Sequence, residues 1–250
     1  MAHLFTNRKR IHHLTDNDAS AKSQFKWETL NAVLYKFGGL FFLVGSVLLF
    51  PSFHSYSTFG QWIFFAGSLC YLIVNVHDLY DVHRYWRKTS SNLSRKQLEY
   101  TASYIYLLGT LMFVAGRVFS FIGDSYSAHS ALMFIIGSTL FVVGASVNIV
   151  ADTSSAGGTE GQLTNLTAVT FIVGSVLFAV GSFPGLWEGG VPNESIQLAN
   201  YLTWQFLVGS FLFFLGGIFN YWRAYHFIKR NLNIKQLGIN SQKESNIPIC

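Results

Sequence analysis

The amino-acid sequence predicts an all-helical polytopic membrane protein with six transmembrane helices. Two features of composition point to it: half of the 250 residues are hydrophobic and only 12% are charged. Since soluble globular proteins carry roughly 25% charged residues, this chain has about half of the charge that a water-facing surface requires. The third feature is that the apolar residues fall into runs of about 20, the length of a membrane-spanning helix. A mean hydropathy of +0.33 also excludes a disordered chain.

The six apolar runs are residues 31–50, 59–78, 100–121, 129–150, 164–183 and 200–220. At 1.5 Å per residue, a helix of this length crosses a hydrocarbon core of roughly 30 Å. Strands of a membrane barrel would be about 10 residues long with alternating polarity, and the sequence shows no such alternation. The preceding polar and basic segment lacks the apolar stretch of a cleavable signal peptide. We therefore expect the first run to act as the insertion signal.

The positions of the basic residues predict the orientation of the chain. Of the 17 Lys and Arg residues, 15 fall in three segments, 8–26, 84–96 and 223–243, which six spans place on one side of the membrane. The connections on the other side, 51–58, 122–128 and 184–199, contain no Lys or Arg. The positive-inside rule then predicts a cell-membrane protein with a cytoplasmic N-terminal segment, 1–28, and a cytoplasmic C-terminal tail, 226–250.

The net charge of +5 is explained by this orientation and by attraction to anionic lipid headgroups. The basic segments lack the folds that read nucleic acids. We therefore expect the lipid bilayer as the partner and no nucleic acid. The two cysteines, Cys70 and Cys250, form no framework or paired motif that would indicate a redox site.

Each apolar run contains a glycine followed by serine or threonine. These motif glycines are Gly45, Gly67, Gly109, Gly137, Gly174 and Gly209. The odd-numbered copies are 64 and 65 residues apart and the even-numbered copies 70 and 72, which predicts a two-helix hairpin repeated three times. Since all three hairpins would enter the membrane in the same direction, we expect a pseudo-threefold arrangement about the membrane normal.

Small residues also stand two helical turns from the motif glycines, on the same helix face. Seven residues later stand Gly116, Gly144, Gly181 and Gly216, and seven residues earlier stand Gly38, Gly60, Ala102, Ser130 and Thr167. Faces of small residues let membrane helices approach closely. The glycines at the motif and seven residues after it are therefore predicted to pack helices, and the alternative is a pore lining or substrate groove.

The paired glycine and serine within two-span units resembles the YrhK-like domain, a short bacterial module of two membrane spans. The resemblance covers three tandem copies, residues 29–88, 95–152 and 162–225. Residues 27–31, which lead into the first copy, have no clear counterpart in the other two. The resemblance implies an architecture and brings no catalytic residue or cofactor.

A polar residue stands eleven positions after the motif glycine in every even-numbered run: Asp78, Asn148 and Asn220. If these side chains face the axis, they form a polar ring at the cytoplasmic end that could bind a cation or gate a solute path. Alternatively, they lie at the edge of the hydrocarbon, where amides cap helix ends or bond to headgroups. The sequence leaves both interpretations open.

His77 and Asp81 are four residues apart on one helix face and flank Asp78. This spacing permits metal ligation or proton relay. A metal site needs three or four converging ligands, however, and the other helices offer only Asp152 and His226 at this depth. We therefore predict no metal and no cofactor.

Two basic residues stand within the apolar runs, Lys36 near the inner end of the first and Arg117 near the outer end of the third. Both side chains can extend to the membrane interface. Asp124 follows Arg117 by seven residues on the same face, and the alternative is that Arg117 faces the bundle and binds an anion or a neighbouring helix.

The sequence contains none of the motifs of nucleophilic, zinc-dependent, nucleotide-binding or redox enzymes. We therefore expect a non-enzymatic structural or regulatory helix bundle, able to form a homo-oligomer and without an assigned substrate. The alternative is a small-ion or small-solute channel or transporter that uses the polar ring, and a lipid-modifying enzyme is a more distant one. The scarcity of intramembrane charge favours the first, because coupled transporters place ionisable groups near the midplane.

Overall fold

The computed structural model describes residues 18–88, 93–152, 159–187 and 196–245. Their regular structure is entirely helical. The long helices are α1 (Asp18–Leu48), α2 (Ser57–Lys88), α3 (Leu93–Ile122), α4 (Ser127–Asp152), α5 (Thr159–Ser182) and α6 (Ile196–Ser245). Short 3-10 turns follow the odd-numbered helices at Pro51–Tyr56, Asp124–Tyr126 and Phe183–Leu186.

Each long helix, in two cases with an adjoining 3-10 turn, provides one stretch that is long and apolar enough to cross a membrane. These stretches are Thr29–Leu48, Pro51–His83, Lys96–Ile122, Ser127–Val150, Gly161–Leu186 and Ile196–His226. Each overlaps one of the runs predicted from the sequence, so the prediction of an all-helical chain with six such helices is confirmed. The helices extend beyond the apolar runs, most of all α6, because their polar flanks contain few helix-breaking residues.

The six helices form a closed ring in chain order. Each helix packs against its neighbours along the chain, and α1 also packs against α6. We call the end that holds the 3-10 turns the far end, and the end where α1, α3 and α5 begin the near end. At the far end Gly123 has a φ of 144°, a conformation that favours glycine and lets α3 stop one residue before the turn.

The helices contact one another along narrow faces. In α4, for example, buried residues recur every three or four positions from Ser130 to Asn148. This spacing is typical of left-handed helix bundles, in which the helices cross at small angles. Small side chains on these faces bring the backbones together, and aromatic side chains fill the space that remains.

The motif glycines of the second and third hairpins face each other. A Cβ atom added to Gly137 would lie 2.9 Å from the carbonyl oxygen of Gly109, and one added to Gly174 would lie 2.9 Å from that of Gly209. No residue with a side chain allows two backbones to approach so closely. The paired helices are therefore in backbone contact at these positions.

The first hairpin has a different register. A Cβ atom added to Gly67 would lie 3.0 Å from the carbonyl oxygen of Gly38, whereas Gly45 is opposite Gly60, also at 3.0 Å. The reason is the position of the turn: α1 ends at Leu48, just after Gly45, so Gly45 is too near the far end to face Gly67. The contact with the motif glycine of the following helix, which Gly109 and Gly174 make in the other two helix pairs, is therefore made by Gly38 in the first pair and not by Gly45.

Candidate functional site

Aromatic side chains fill the space enclosed by the helix ring. We call this cluster the aromatic core; it comprises Tyr35, Phe42, Phe64, Tyr71, Tyr106, Phe113, Phe134, Phe141, Phe171, Phe178 and Phe213, together with Val74 and Ala145. The ring centroid of Phe42 in α1 is 4.3 Å from that of Phe64 in α2 and 6.0 Å from that of Phe178 in α5. These are the stacked and edge-to-face arrangements that aromatic pairs prefer. The centre of the bundle is therefore occupied by rings.

A small cavity remains within the aromatic core. Its volume is about 10 Å³, which is enough for about one water molecule. The residues that line it are Phe42, Ser68, Tyr71, Thr110, Phe113, Phe141 and Phe213. The surface that these residues present to the cavity is apolar, and the cavity is far smaller than a ligand pocket.

The spacing of Phe and Tyr residues in the sequence is a signal for the aromatic core. Phe or Tyr stands three residues before and four residues after each of five motif glycines, Gly67, Gly109, Gly137, Gly174 and Gly209. The two positions are seven residues apart and so lie on one helix face. In α1 the same spacing places Tyr35 and Phe42 around Gly38, in agreement with the register of the first hairpin.

Asp78, from the predicted polar ring, is buried at the near end between α1 and α2. The amide Nδ2 of Asn31 donates to Oδ1 of Asp78 at 3.4 Å and lies 2.8 Å from Nδ1 of His77. The same nitrogen of His77 is 3.2 Å from Oδ2 of Asp81. The structure therefore brings together the three residues of α2 that the sequence singled out, and it adds Asn31, which the sequence analysis missed.

The other two members of the predicted ring are also buried inside the bundle. Asp78, Asn148 and Asn220 are 1%, 1% and 4% exposed, respectively. Nδ2 of Asn148 donates to the hydroxyl of Tyr106 at 3.2 Å, and Nη2 of Arg223 donates to Oδ1 of Asn220 at 2.9 Å. All three ring positions thus bond to protein groups within the bundle.

The candidate metal ligands are not gathered into a site within the described part of the chain. No group of three or more His, Cys, Asp or Glu side chains in residues 18–88, 93–152, 159–187 and 196–245 could hold a metal ion. His226, one of the two residues that the other helices offered at this depth, is exposed. The side chain of Asp152 lies outside the described residues.

Arg117 lies near the far end with its side chain directed into the bundle. It is only 6% exposed, and its Cζ atom is 4.2 Å from the ring centroid of Phe64 and 4.6 Å from that of Phe134. Of the two orientations that the sequence left open for Arg117, towards the membrane interface or towards the bundle, the structure has the second. Lys36 is partly exposed instead, with Nζ 4.9 Å from the ring centroid of Tyr221.

Hydrogen bonds also link helices that belong to different hairpins. The hydroxyl oxygens of Ser46 in α1 and Ser210 in α6 are 2.8 Å apart, and Nδ2 of Asn75 in α2 donates to Oγ1 of Thr110 in α3 at 2.6 Å. Successive residues of a helix point about 100° apart. At Ser46, Thr110 and Ser210, the hydroxyl after the motif glycine therefore contacts another hairpin while the glycine faces its own hairpin partner.

Comparison with known families identifies the first hairpin. Residues 26–82 match the family model described as YrhK-like protein. The match covers most of α1 and α2 and confirms the resemblance for the first of the three copies, residues 29–88. No match was found among curated proteins or solved structures.

Proposed function

We propose that this chain, whose residues 26–82 match the YrhK-like family model, is a multi-pass membrane protein that acts as a non-enzymatic structural or regulatory helix bundle. The observation that carries the proposal is the aromatic core. Rings contributed by all six helices, from Phe42 in α1 to Phe213 in α6, meet along the axis. Close packing of this kind among the described residues argues against a solvated path for an ion or a solute.

The surface of the bundle supports its placement in a bilayer. Large apolar side chains are exposed along the middle of the helices, among them Phe37, Leu69, Leu108, Val143 and Val176. In water this surface would be an apolar patch far larger than those of soluble monomers, whereas in a membrane it contacts lipid tails. We propose that the near end faces the cytoplasm, because the basic segments 84–88, 93–96 and 223–243 lie there.

We further propose that the bundle consists of three YrhK-like hairpins, residues 29–88, 95–152 and 162–225, around a pseudo-threefold axis. The closed ring of helices in chain order supports this arrangement. The matching glycine contacts, Gly109 with Gly137 and Gly174 with Gly209, support it as well.

Cysteine accessibility tests the orientation. Cys70 and Cys250 are first replaced by alanine, and single cysteines are then introduced at Ser55 and Ser125, in the far-end turns, and at Ser91, in the basic connection. We expect a membrane-impermeant maleimide added to intact cells to label the first two positions and to label Ser91→Cys only after permeabilisation. The reverse labelling pattern would contradict the proposed topology.

Flux measurements test the function. The purified chain is reconstituted into liposomes and assayed for Na⁺, K⁺, Cl⁻ and H⁺ movement against protein-free liposomes. We expect no flux above the protein-free level, because aromatic side chains fill the axis. A reproducible flux that depends on the amount of protein would contradict a purely structural or regulatory role.

A channel or transporter is the second candidate, and the burial of Asp78, Asn148 and Asn220 favours it. Its test is the effect of Asp78→Ala on any flux that the reconstituted chain shows. Asp81→Ala is the matched control, because this carboxylate is on the same helix but is partly exposed. A flux abolished by Asp78→Ala and preserved in Asp81→Ala would replace the first proposal by the second.

A further inference from the structure

The guanidinium of Arg117 is a buried charge at the far end of the bundle. Its side chain is 6% exposed, and its Nε atom has no hydrogen-bond partner among the described residues. The carboxylates whose side chains the structure describes, Asp78, Asp81 and Glu99, all lie at the near end. Glu99 and Arg117 are on the same helix, 18 residues apart, which separates them by about 27 Å along its axis.

The two aromatic rings beside Arg117 offset only part of the cost of burying this charge. Phe64 and Phe134 lie within cation–π distance of its Cζ atom, an attraction that strengthens when water is excluded. A ring face accepts no strong hydrogen bond, however, and the edge of the guanidinium carries five N–H donors. Charges buried in membrane proteins are paired almost without exception, so the environment of Arg117 calls for an anion.

We propose that Arg117 binds a small monovalent inorganic anion, such as chloride, at the far end of the aromatic core. A single negative charge neutralises the single positive charge of the guanidinium, and a halide accepts hydrogen bonds from its free edge. The close packing of Phe64 and Phe134 around the group favours a monatomic anion over a bulky one. The anion acts as a structural ligand, and its binding does not depend on whether the bundle conducts ions.

Thermal unfolding of the full chain in a neutral detergent tests the proposal. Sodium gluconate is replaced by sodium chloride or bromide at constant ionic strength. We expect the melting temperature to rise by about 3–6 °C once the halide exceeds its dissociation constant about tenfold. A melting temperature that is the same in gluconate and in halide overturns the proposal.

Two arginine variants show whether Arg117 is responsible. Arg117→Met keeps an unbranched chain between the rings and removes every N–H donor, so we expect its melting temperature to be independent of halide. Arg223→Met is the matched control, because Arg223 is also buried but donates to Asn220 at the near end. Its melting temperature should respond to halide as that of the wild type does, and an equal response in Arg117→Met overturns the proposal.

Crystals of the wild-type chain grown in bromide supply a readout that does not depend on the folding of a variant. We expect anomalous scattering from bromide beside the guanidinium of Arg117, and its absence from fully bromide-exchanged crystals overturns the proposal. Two other anions could take this place, the carboxylate of Asp124 and the phosphate of a lipid. If only the Asp124→Asn variant responds to halide, the Asp124 carboxylate occupies this place in the wild type, and the proposal is overturned. Stabilisation by phosphatidylglycerol but not by halide assigns the place to a lipid phosphate and also overturns it.

Discussion

The hydroxyl oxygens of Ser46 and Ser210 lie 2.8 Å apart and join the first helix of the ring to the last. Both residues are fully buried, and the hydroxyl of Ser46 also lies 3.3 Å from the carbonyl oxygen of Phe206, to which it can donate. In an apolar surrounding, such contacts between hydroxyl groups add specificity to a helix contact that otherwise rests on packing. The pair therefore fixes the register at which the ring closes.

Removing either hydroxyl should weaken this closure. We expect Ser46→Ala and Ser210→Ala each to lower the free energy of unfolding by about 0.5–1.5 kcal/mol. The double variant should lose less than the sum of the two, since each single variant already breaks the shared bond. Unfolding in a mixed-detergent titration measures all three values.

Ser146→Ala is the matched control for these variants, because the hydroxyl of Ser146 is exposed and bonds only to the carbonyl of Val142 in its own helix. We expect this control to change the stability by less than about 0.5 kcal/mol. Strictly additive losses in the double variant would show that Ser46 and Ser210 do not act as a pair.

The contact between Gly109 and Gly137 should tolerate no side chain. A Cβ atom at position 137 would lie 2.9 Å from the carbonyl oxygen of Gly109 and 2.8 Å from Cδ2 of Phe113. Since the first of these atoms belongs to the backbone, the two helices must separate, and we expect Gly137→Ala to cost about 1–3 kcal/mol of stability. The same unfolding titration measures this loss.

Gly181→Ala tests whether the loss reflects the close approach rather than the loss of a glycine. A Cβ atom at position 181 would lie 3.2 Å from Cβ of Gln205, and its nearest backbone contact is at 3.5 Å. The higher helix propensity of alanine, about 1 kcal/mol, offsets this smaller crowding. We expect Gly181→Ala to be close to neutral, and equal losses in Gly137→Ala and Gly181→Ala would contradict the interpretation.

The helices themselves could be predicted from the sequence because the length and polarity of a membrane span are local properties. A run of about 20 apolar residues can satisfy its backbone in lipid only as a helix or within a closed barrel. The contacts between helices were harder to predict from the sequence, because they depend on the residue at which each helix ends before a turn. Gly45 and Gly38 are both followed by small residues, and only the end of α1 at Leu48 shows that Gly38 faces Gly67.

For the candidate polar ring, the sequence selected the residues but not their contacts. The position eleven residues after each even-numbered motif glycine is occupied by Asp78, Asn148 or Asn220, and the structure buries all three. Their partners could not be predicted, because a hydrogen bond such as that of Asn148 with Tyr106 depends on the rotation of two helices. The direction of Arg117 was open for the same reason, since a long side chain near a helix end can reach either the interface or the interior.

Truncation of a central ring should be costly. Phe42 is buried and contacts rings from four other helices, whereas Phe37, one and a half turns away on the same helix, is 44% exposed. We expect Phe42→Ala to lower the free energy of unfolding by about 3–5 kcal/mol, because the surrounding rings cannot collapse into the space.

Phe37→Ala is the control for the loss of a phenyl ring from α1. Because lipid or detergent replaces its contacts, we expect it to change the stability by less than about 1 kcal/mol. Similar losses from Phe42→Ala and Phe37→Ala would mean that the aromatic core does not hold the helices together.

The hydrogen bond between Trp86 and Glu99 should stabilise the contact of α2 with α3 at the near end. Nε1 of Trp86 donates to Oε2 of Glu99 at 2.8 Å, and both side chains are buried. Trp86→Phe keeps an aromatic ring in place but removes the donor to a buried carboxylate. We expect a loss of about 1.5–3 kcal/mol, the range for hydrogen bonds to charged groups, measured by unfolding in the same detergent system.

Two comparisons separate this bond from the loss of an indole ring. Trp222 is exposed, so Trp222→Phe should be nearly neutral. In a Glu99→Gln background the bond to Trp86 becomes neutral, and there Trp86→Phe should cost only about 0.5–1.5 kcal/mol. If Trp86→Phe costs the same with glutamate and glutamine at position 99, the carboxylate charge does not strengthen the contact, and packing of the indole ring accounts for the loss.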